Sequence, residues 1–478
     1  MTQPTQTLSC YTLVIGGGPG GYPAAIRAGQ LGLDTILVEA DRLGGTCLIR
    51  GCIPSKAIIH AASKVHEMAA HANGHAGHMG ITLPSAPALD MGGLRDWKDG
   101  IVDQLSGGVA GLLKAAKVRH LNGWATFTTA KTCTVDTANG PIEVTAENVI
   151  LATGSTETEL PFLPYDDTVI SSTGALELNE IPETFAVVGA GYIGLELGIA
   201  FAKLGSKVTV VEMGDRILPG YDAELTRPVA AWLKAHGVEV HLGAKATGKG
   251  TSKGKTVLKF EDAAGKARTT RSEKILVAVG RQPRTEGWGL DAMGLDMDGP
   301  FIKVDARCQT AMRGVYAIGD VTGEPMLAHR ATAMGEIAAE NSAGRKRAFD
   351  PAAIAAVCFT EPEIVGCGLS PDDARTAGED VITAKFPMAA SGRALAMDSA
   401  GSRGFVRVTA RASDHVVLGL HAVGAHVAEL SGEFALALEM GAVLEDIAQT
   451  IHVHPTLTET TAESAMAALG HPIHIAAR

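Results

Sequence analysis

The chain has 478 residues, more than one hydrophobic core ordinarily organises, so about three domains are expected. Hydrophobic residues make up 46% of the chain and glycine occupies 57 positions, which indicates a globular protein with ample core material. The formal net charge of −11 argues against nucleic-acid binding and favours a soluble acidic protein.

Cysteine usage and the N-terminus favour the cytoplasm. Of 7 cysteines, only Cys47 and Cys52 are close together with a recognisable spacing. The others are scattered, and an odd total is no disulfide framework, so a reducing compartment is expected. They are Cys10, Cys133, Cys308, Cys358 and Cys367. The short polar segment 1–9 precedes a strand expected from about Tyr11, which predicts no signal peptide, and no apolar run is long enough to span a bilayer.

The first predicted elements form a dinucleotide-binding unit. A buried strand over 11–15 leads into the run GGGPGG at 16–21, a helix follows over about 22–31, and a second strand over 35–38 ends at Glu39. In such a unit Gly16 allows a tight turn, Gly18 lets a pyrophosphate approach, and Gly21 packs the helix on the strand. Glu39 has the spacing expected of a carboxylate that binds a ribose hydroxyl.

Two cysteines with four residues between them come next, in the run GGTCLIRGCIPSK at 44–56. Cα atoms five positions apart on a regular helix are separated by roughly 8–9 Å, whereas a disulfide needs about 7 Å or less. Either the cysteines do not pair, or the segment is not a regular helix. Gly51 supplies backbone freedom and Pro54 suits a first helical turn, so Cys52 is expected at a helix N-terminus, where the dipole favours a thiolate. A dithiol beside a dinucleotide indicates electron transfer between sulfur and a cofactor.

The dinucleotide unit occurs a second time. A strand over 185–188 leads into GAGYIG at 189–194, a helix runs to about Leu204, and a strand over 207–211 ends at Glu212. Alternating strands follow in each half, over 132–145 and 256–270, and then a return strand that ends at Gly154 or Gly280. Two bound dinucleotides are therefore expected, one per half. A strand over 314–319 ending at Asp320 is predicted to rejoin the first half, which makes the second domain an insertion.

The pattern changes from about Phe349. Strands over 404–408 and 416–420 precede helices around 429–440, which predicts an α+β domain without a nucleotide fingerprint. The expected fold is α/β, with two Rossmann-like dinucleotide-binding domains, the second inserted in the first, and a C-terminal α+β domain. The expected boundaries are 1–154 with 281–347 for the first domain, 155–280 for the second and 348–478 for the third.

These features together resemble the flavin disulfide oxidoreductases, and most closely the dihydrolipoamide dehydrogenase family. The resemblance covers essentially the whole chain. It rests on GGTCLIRGCIPSK, both fingerprints with their acids, the 314–320 strand, MLAH at 326–329, and HVHPTLTE at 452–459, which is similar to the family's HAHPTLSE run. It implies FAD in the first domain, NAD in the second, dimerisation through the third, and a redox disulfide between Cys47 and Cys52. The implied reaction oxidises dihydrolipoamide to lipoamide and reduces NAD⁺ to NADH.

The resemblance also implies the residues of both cofactor sites. Lys56 is expected to point its charge at the flavin and pair with Glu196, Asp320 to hold the ribityl chain, and the backbone near Ala328 to contact the flavin ring. The set expected around FAD is Gly16, Gly18, Gly21, Glu39, Gly45, Thr46, Lys56, Ala125, Thr153, Gly154, Asp320 and Ala328. The set expected around NAD is Gly189, Gly191, Ile193, Gly194, Glu196, Glu212, Ala246 and Gly280.

His454 and Glu459 are the implied acid–base pair. Exchange between a dithiol and a disulfide needs a base that makes a thiolate, and a carboxylate orients a histidine and raises its basicity. In the family this pair reaches the disulfide of the other subunit, so the implied active site exists only in a homodimer. His452 is interpreted as non-catalytic, because no glutamate stands at matching spacing. The implied partner is the lipoyl domain of a 2-oxo acid dehydrogenase acyltransferase or a glycine cleavage carrier protein, with no nucleic acid and no membrane.

Coenzyme choice is predicted from Glu212. A carboxylate suits the free ribose hydroxyls of NAD and repels the extra phosphate of NADP, although Arg216 is close in sequence. The chain departs from the family pattern at Ile49, where Asn is usual, and at Pro23, which the first helical turn tolerates. Neither departure removes a chemical group that the mechanism needs.

Other interpretations have less support in the sequence. Glutathione-type reductases use NADPH, and Glu212 argues against NADPH as the coenzyme. Mercuric reductases and large thioredoxin reductases carry a further C-terminal cysteine or selenocysteine pair, whereas no cysteine follows Cys367 in this sequence. A non-catalytic FAD- and NAD-binding sensor would need only the fingerprints, whereas this chain also has Cys47, Cys52, His454 and Glu459 together. The histidines of 71–78 have partly helical metal-ligand spacing, but Gly74 and Gly77 interrupt the helix, so no metal is expected. Cys358 and Cys367 are predicted to be small buried residues.

Overall fold

The structure, a computed structural model, describes residues 6–74 and 77–477. Its N-terminal part forms a mostly parallel sheet flanked by helices. The elements are β1 (Gln6–Ile15), α1 (Gly21–Gln30), β2 (Thr35–Glu39), α2 (Gly45–Arg50), α3 (Cys52–Ala72), α4 (Met91–Ala115), β3 (Arg119–Asn122), β4 (Trp124–Thr129), β5 (Thr132–Thr137) and β6 (Gly140–Leu151). The strand order is β3-β2-β1-β6-β5-β4. β1 begins at Gln6 and not near Tyr11, because residues 6–10 pair with residues 142–146 of β6.

A second α/β unit follows and repeats the topology of the first. Its elements are β7 (Ser155–Glu157), β8 (Val169–Ile170), α5 (Ser172–Leu176), β9 (Thr184–Val188), α6 (Tyr192–Lys203), β10 (Lys207–Val211), α7 (Ala223–Ala235), β11 (Glu239–His241), β12 (Lys245–Ser252), β13 (Lys255–Glu261), β14 (Ala267–Arg271), β15 (Lys274–Val277) and β16 (Arg281–Pro283). Its parallel sheet has the order β11-β10-β9-β15-β8, and β12-β13-β14 form a separate antiparallel sheet. β9 is buried along its whole length, as expected of a central parallel strand covered on both faces. β7 and β16 pair with each other where the chain enters and leaves this unit.

The chain then returns to the first sheet. The elements of the return are β17 (Met297–Asp298), β18 (Phe301–Ile302), β19 (Val315–Ala317) and α8 (Ala328–Ser342). β19 pairs in parallel with the end of β6, where Val315 lies opposite Val149. The predicted return of the 314–320 segment to the first half is therefore confirmed, and the second sheet is an insertion in the first fold.

The last part of the chain forms an antiparallel sheet with helices packed against it. Its elements are β20 (Ala356–Cys358), β21 (Glu363–Gly368), α9 (Pro371–Thr376), β22 (Val381–Pro387), α10 (Gly392–Ala396), β23 (Phe405–Arg411), β24 (Val417–Gly424), α11 (Ser431–Glu439), α12 (Leu444–Gln449) and α13 (Glu459–Ala468). The strand order is β20-β21-β24-β23-β22. Phe434 and Leu438 of α11 and Ala465 of α13 share one apolar core with the sheet. Within the described segments, none of the helices combines the length and the apolar character that crossing a bilayer requires.

Candidate redox active site

The Cys47–Cys52 pair is bonded, with its Cα atoms 4.6 Å apart. This separation is possible because the segment is not one regular helix: α2 ends at Arg50, Gly51 breaks the helix with φ −141° and ψ −112°, and α3 begins at Cys52. A Cβ on Gly51 would lie 2.8 Å from Thr46 O, so the break requires glycine. Cys52 therefore lies at the N-terminus of a 21-residue helix, the position predicted from the sequence.

The two glycine turns have the same construction. Gly16 and Gly189 have φ of +101° and +103°, and an added Cβ would meet the carbonyl oxygen of Ala152 at 2.2 Å or of Ala278 at 2.5 Å. The third glycine of each fingerprint lies beneath the turn, where an added Cβ would approach the carbonyl of the first glycine to 1.8 Å at Gly21 and 2.2 Å at Gly194. Side chains are therefore excluded from both turns, and each helix packs directly on its strand.

In each dinucleotide unit, the glutamate at the end of the second strand binds the backbone of that unit's glycine turn. Gly17 N–H donates to Glu39 Oε2 at 2.6 Å, and Ala190 N–H donates to Glu212 Oε2 at 2.5 Å. The other oxygen of each carboxylate accepts from the residue two positions on, at 2.9 Å from Asp41 N and at 2.6 Å from Gly214 N. The carboxylates are thus fixed by the backbone. Arg216, the residue that complicated the coenzyme prediction, donates instead to Pro219 O at 2.7 Å.

A cavity of about 530 Å³ brings the disulfide and the first glycine turn together. Both Cys47 and Cys52 line it. The predicted FAD residues that line it are Gly16, Gly18, Glu39, Gly45, Thr46, Lys56, Ala125, Thr153, Gly154, Asp320 and Ala328. Gly21 is placed beneath the turn and not at the cavity wall. Two residues predicted around NAD, Ile193 and Glu196, also line this cavity, so its far wall comes from the inserted unit.

Lys56 and Glu196 form the predicted ion pair across that boundary. Lys56 Nζ on α3 donates to Glu196 Oε2 on α6 at 2.7 Å. Phe359 N–H donates to the other oxygen of Glu196 at 2.9 Å, and Lys56 Nζ lies 4.6 Å from the centre of the Phe359 ring. Glu196 is buried while Lys56 is partly exposed. The pair therefore holds a cation in the cavity wall one turn after Cys52.

Asp320 is positioned by two residues that the sequence did not single out. Ser155 Oγ donates to Asp320 Oδ2 at 2.6 Å, and Arg281 Nε donates to the same hydroxyl at 2.8 Å. Arg281 also donates to Ser155 O at 2.9 Å, across the β7–β16 pair. The three side chains line the cavity. The available signal was their position, since Ser155 directly follows Gly154 and Arg281 directly follows Gly280 at the ends of the two return strands.

The remaining residues predicted around NAD lie around the second turn or behind it. Gly189, Gly191 and Glu212 form the second glycine turn with its acid. Gly280 follows β15 with φ +134°, and its carbonyl accepts from Thr158 N–H at 3.1 Å. Ala246 on β12 is buried in an apolar core and lies opposite Phe260 of β13.

His454 and Glu459 form the predicted pair, with His454 Nδ1 2.8 Å from Glu459 Oε1. Thr456 N–H donates to the second oxygen of Glu459 at 2.8 Å. Burial raises the pKa of the Glu459 carboxyl, but the hydrogen bonds from Thr456 and His454 outweigh burial and place it below its usual range. His454 is 79% exposed, and neither residue is among those that line the cavity of their own chain.

His452, which was interpreted as non-catalytic because no glutamate stands at matching spacing, has a carboxylate partner from a distant part of the chain. Its Nε2 is 2.8 Å from Glu433 Oε1 on α11. No spacing in the sequence indicates this contact, because Glu433 precedes His452 by 19 positions and lies on another element. The non-catalytic role stays a prediction, and the ring has a carboxylate contact that the local spacing did not indicate.

The other cysteines and histidines form no second centre in the described segments. The five remaining cysteines are unpaired and buried, as predicted for Cys358 and Cys367. Burial raises the pKa of Cys10, Cys133 and Cys308 to about 12, so these thiols are not thiolates near neutrality. His71 is buried, His78 lies 3.1 Å from Asp398, and His75 lies outside the described residues. Within the described ranges, no group of three or more metal-ligating side chains is assembled.

Comparison with known proteins gives the same picture along the whole chain. Residues 11–335 match the pyridine nucleotide-disulphide oxidoreductase family, and residues 354–465 match the dimerisation domain of that family. Dihydrolipoyl dehydrogenase of Pseudomonas aeruginosa is 52% identical over 98% of this chain and 100% of its own length. The Bacillus subtilis dihydrolipoyl dehydrogenase is 44% identical over 97% of each chain. The crystal structure of LpdA from Mycobacterium tuberculosis has a TM-score of 0.86 at 27% identity, over 95% of this chain and 99% of that chain.

These matches agree with the sheets and the disulfide described above. They confirm the α/β fold class and the C-terminal dimerisation domain. They also confirm that the cofactors are FAD and NAD, which the family uses. The similarity covers both glycine turns, the cysteine pair and the His454 loop, because it extends over nearly the full length of the chain. The chain belongs to the pyridine nucleotide-disulphide oxidoreductase family.

Proposed function

We propose that this chain is a dihydrolipoyl dehydrogenase, which oxidises protein-bound dihydrolipoamide to lipoamide and reduces NAD⁺ to NADH. The observation that carries the proposal is the Cys47–Cys52 disulfide in the wall of the cavity that also contains Gly16 and Asp320. Few chemistries need a redox sulfur pair beside a dinucleotide site. The 52% identity with the Pseudomonas aeruginosa dihydrolipoyl dehydrogenase supports the same reaction.

The residues of the first cavity fit FAD. A Cβ on Gly45 would lie 2.4 Å from Gly18 Cα, so this wall is bare backbone that a pyrophosphate can approach. Glu39 and Asp320 offer carboxylates to ribose and ribityl hydroxyls, and Lys56 offers a cation that stabilises the charge of reduced flavin. When bound, FAD would supply two-electron chemistry between the reduced cysteine pair and the NAD⁺ held at the second glycine turn.

The chain's own residues perform the dithiol exchange. His454, oriented by Glu459, takes a proton from one thiol of dihydrolipoamide. The resulting thiolate attacks Sγ of Cys47, the bond to Cys52 breaks, and Cys52 leaves as a thiolate at the helix N-terminus beside Lys56. His454 passes the first proton to solvent and takes the proton of the second substrate thiol. The resulting thiolate attacks the substrate sulfur bound to Cys47, which releases Cys47 as a thiolate and closes lipoamide. The substrate has lost two electrons and two protons: the cysteine pair holds the electrons, one proton is in solvent, and His454 holds the other.

We infer that His454 acts on the disulfide of the partner subunit in a homodimer. Its side chain is largely exposed, and it does not line the cavity of its own chain. His454 and Glu459 both fall within residues 354–465, the part of the chain that matches the dimerisation domain. Each dimer then contains two active sites, and each site takes its cysteines from one chain and its base from the other.

We assign NAD to the second glycine turn on the basis of Glu212. The carboxylate is fixed by two backbone N–H groups at the end of β10, where it accepts a ribose hydroxyl and repels a phosphate in the same position. Arg216 is directed to Pro219 O, so it supplies no competing phosphate site there.

We also infer a first domain of 1–154 with 281–347, an inserted domain of 155–280 and a dimerisation domain of 348–478. The three large sheets support this division, and the β7–β16 pair joins the first two domains across their boundary. The lipoyl group is expected to arrive on a separate carrier, the lipoyl domain of a 2-oxo acid dehydrogenase acyltransferase or a glycine cleavage carrier protein. Five buried free thiols beside a single disulfide support a reducing compartment, the cytoplasm.

The proposed function is tested by anaerobic titration of the purified protein with dihydrolipoamide, followed by NAD⁺. The expected result is a change in the visible flavin spectrum with a new long-wavelength band, and then NADH formation. Reduction by NADPH with another disulfide as acceptor, and no reduction by dihydrolipoamide, would assign the chain to a sibling reductase. Cys47→Ser is the matched variant, because it should retain the flavin and lose the exchange.

A further inference from the structure

A second histidine–carboxylate pair lies beside the first. His452 Nε2 is 2.8 Å from Glu433 Oε1, and His452 Nδ1 is 2.8 Å from Thr450 O. Both ring nitrogens therefore lie within hydrogen-bond distance of a partner, and the ring is held at two points. The side chain of His452 is 9% exposed, compared with 79% for His454 two positions on. This ring therefore faces the interior, while the base faces outward.

The loop that carries His454 has few other attachments near the base. Residues 450–458 lie between α12 and α13 and form neither helix nor strand. Ile451 and Val453, which flank His452, are 97% and 71% exposed, so they give the loop no packing within the chain. His452 is the one residue of 451–455 that is not exposed. The loop is also held at Thr450, whose Oγ1 donates to Asp446 O at 2.7 Å, and at Val453, whose carbonyl accepts from Thr456 Oγ1 at 2.7 Å. Between these points, His452 supplies the side-chain contact that joins the first half of the loop to another helix.

Glu433 connects this contact to rigid parts of the domain. It lies on α11, where the adjacent Phe434 is fully buried in the core against the sheet. Its second oxygen accepts from Thr461 Oγ1 of α13 at 3.4 Å. The second half of the loop is held separately, by the hydrogen bonds of Thr456 N–H and His454 to Glu459. His454 thus lies between two carboxylate anchors, one on α11 and one at the start of α13.

We propose that His452 is a positioning residue for the His454 base, acting through Glu433, and the proposal rests on the proposed function. His452 does not touch the reacting sulfurs; it fixes the backbone so that the ring of His454 meets Glu459 and directs its other nitrogen outward. Loss of this anchor displaces the base, and a displacement of about 1 Å costs on the order of 10²-fold in rate.

The test compares two ways of reducing the flavin of the purified homodimer by rapid mixing. Dihydrolipoamide needs the base, whereas NADH reduces the flavin from the other substrate site. His452→Leu should slow reduction by dihydrolipoamide by about 10²-fold, with no comparable loss for NADH. His452→Gln keeps a donor for Glu433 and should recover most of the rate. His415→Asn is the control, because it removes another histidine that pairs with a glutamate, 2.6 Å from Glu445, on the same domain.

A double-variant comparison separates positioning from a general loss of structure. In a His454→Gln background the base is already absent, so adding His452→Leu should change the dihydrolipoamide rate by less than about twofold. A further loss as large as in the wild-type background would overturn the proposal, and so would equal slowing of both reductants. If His452→Leu does not fold, Glu433→Gln is compared in the same two backgrounds.

A third readout does not depend on the reaction. Hydrogen exchange of the Thr456 amide, which donates to Glu459, should accelerate in His452→Leu and not in His452→Gln. If wild-type protein is not reduced by dihydrolipoamide, the proposed function fails, and the exchange measurement then decides the positioning role alone. Unchanged exchange in His452→Leu would overturn it.

Discussion

At the scale of single residues, the two glycine-turn acids are a matched pair. Glu39 and Glu212 each accept a hydrogen bond from a backbone N–H that lies 22 positions earlier in the chain. Each also accepts a second hydrogen bond from the N–H of the residue two positions later. Glutamine has one acceptor oxygen instead of two, so replacing either acid leaves one N–H facing an amide NH₂ and removes the negative charge. The two substitutions should therefore affect two different cofactors.

Glu212→Gln should lower kcat/KM for NAD⁺ by about tenfold, equivalent to about 1.4 kcal/mol, and narrow the preference for NAD⁺ over NADP⁺. Glu39→Gln should instead weaken FAD retention and leave the KM for NAD⁺ unchanged. Steady-state kinetics with both coenzymes, together with the flavin content after dilution, separate the two effects. An unchanged coenzyme ratio in Glu212→Gln would contradict the assignment.

Sequence reasoning predicted some contacts through the resemblance to the family and missed others. The contact of His454 with Glu459, five positions on, was expected from the family's C-terminal run; Glu433 is 19 positions from His452 on another helix, and no pattern indicated it. The Ser155–Asp320 contact spans 165 positions and was also missed. The Lys56–Glu196 pair spans 140 positions and was expected only through family resemblance. Long-range contacts depend on how elements pack, which a spacing does not report.

At the scale of elements, the break between α2 and α3 should depend on one missing side chain. Gly51→Ala would place a Cβ 2.8 Å from the backbone oxygen of Thr46, so the two helix ends must separate. We expect reduction by dihydrolipoamide to slow by about tenfold or more, because the attacked sulfur moves relative to the base. Gly111→Ala in α4 is the control, since nothing lies within 4 Å of its added Cβ. Equal rates in the two variants would show that the break does not need glycine.

A buried arginine links α7 of the inserted unit to β23 of the last sheet. Arg407 is buried, contacts Asp222, and donates from Nη1 to Glu224 Oε2 at 3.1 Å. Burial raises the pKa of Asp222, but the hydrogen bond and charge of Arg407 lower it below its usual value. Burial also raises the pKa of Glu224, but the hydrogen bonds and charges of Lys385 and Arg407 outweigh burial. The pKa of Glu224 is therefore below its usual value.

Removing this link should destabilise the protein in a pH-dependent way. The carboxylate pKa values are lower in the folded state, so the stability they contribute is present above their unfolded values of about 4 and is lost as pH falls through the folded values. Arg407→Met should therefore lower the free energy of unfolding by about 1–3 kcal/mol at neutral pH. The difference in this free energy between the variant and the wild type should disappear below about pH 4. Urea unfolding across this pH range measures it; a gap that stays constant would contradict the linkage.

In the assembled dimer, the proposed sharing of each active site between two subunits can be tested by mixing inactive chains. A Cys47→Ser homodimer lacks the attacked sulfur, and a His454→Gln homodimer lacks the base. Their heterodimer has one site with both defects and one site with neither, if the base serves the partner subunit. Random reassociation should restore about a quarter of the wild-type activity. No recovery, despite heterodimers detected by mass, would place the base and the cysteines in one chain.

The internal repeat made the global architecture predictable. Two fingerprints with the same following pattern predicted two Rossmann-like units, and the buried strand that ends at Asp320 predicted the return to the first sheet. The start of β1 was placed five residues late, because residues 6–10 are less apolar and are held by pairing with β6 rather than by burial alone. A local pattern of apolar residues predicts which segments are buried, but it does not predict which strands pair.

The β7–β16 pair has a consequence for how this enzyme architecture can change. The inserted unit begins and ends on neighbouring strands, with Ser155 opposite Pro283, so its two ends occupy almost one point on the host fold. A coenzyme module attached in this way can be exchanged for another without rethreading the host sheet. The incoming module must supply a carboxylate in the place of Glu196, since otherwise the cation next to the disulfide loses its counter-ion. It must also supply partners for the buried Arg407, which Asp222 and Glu224 provide here.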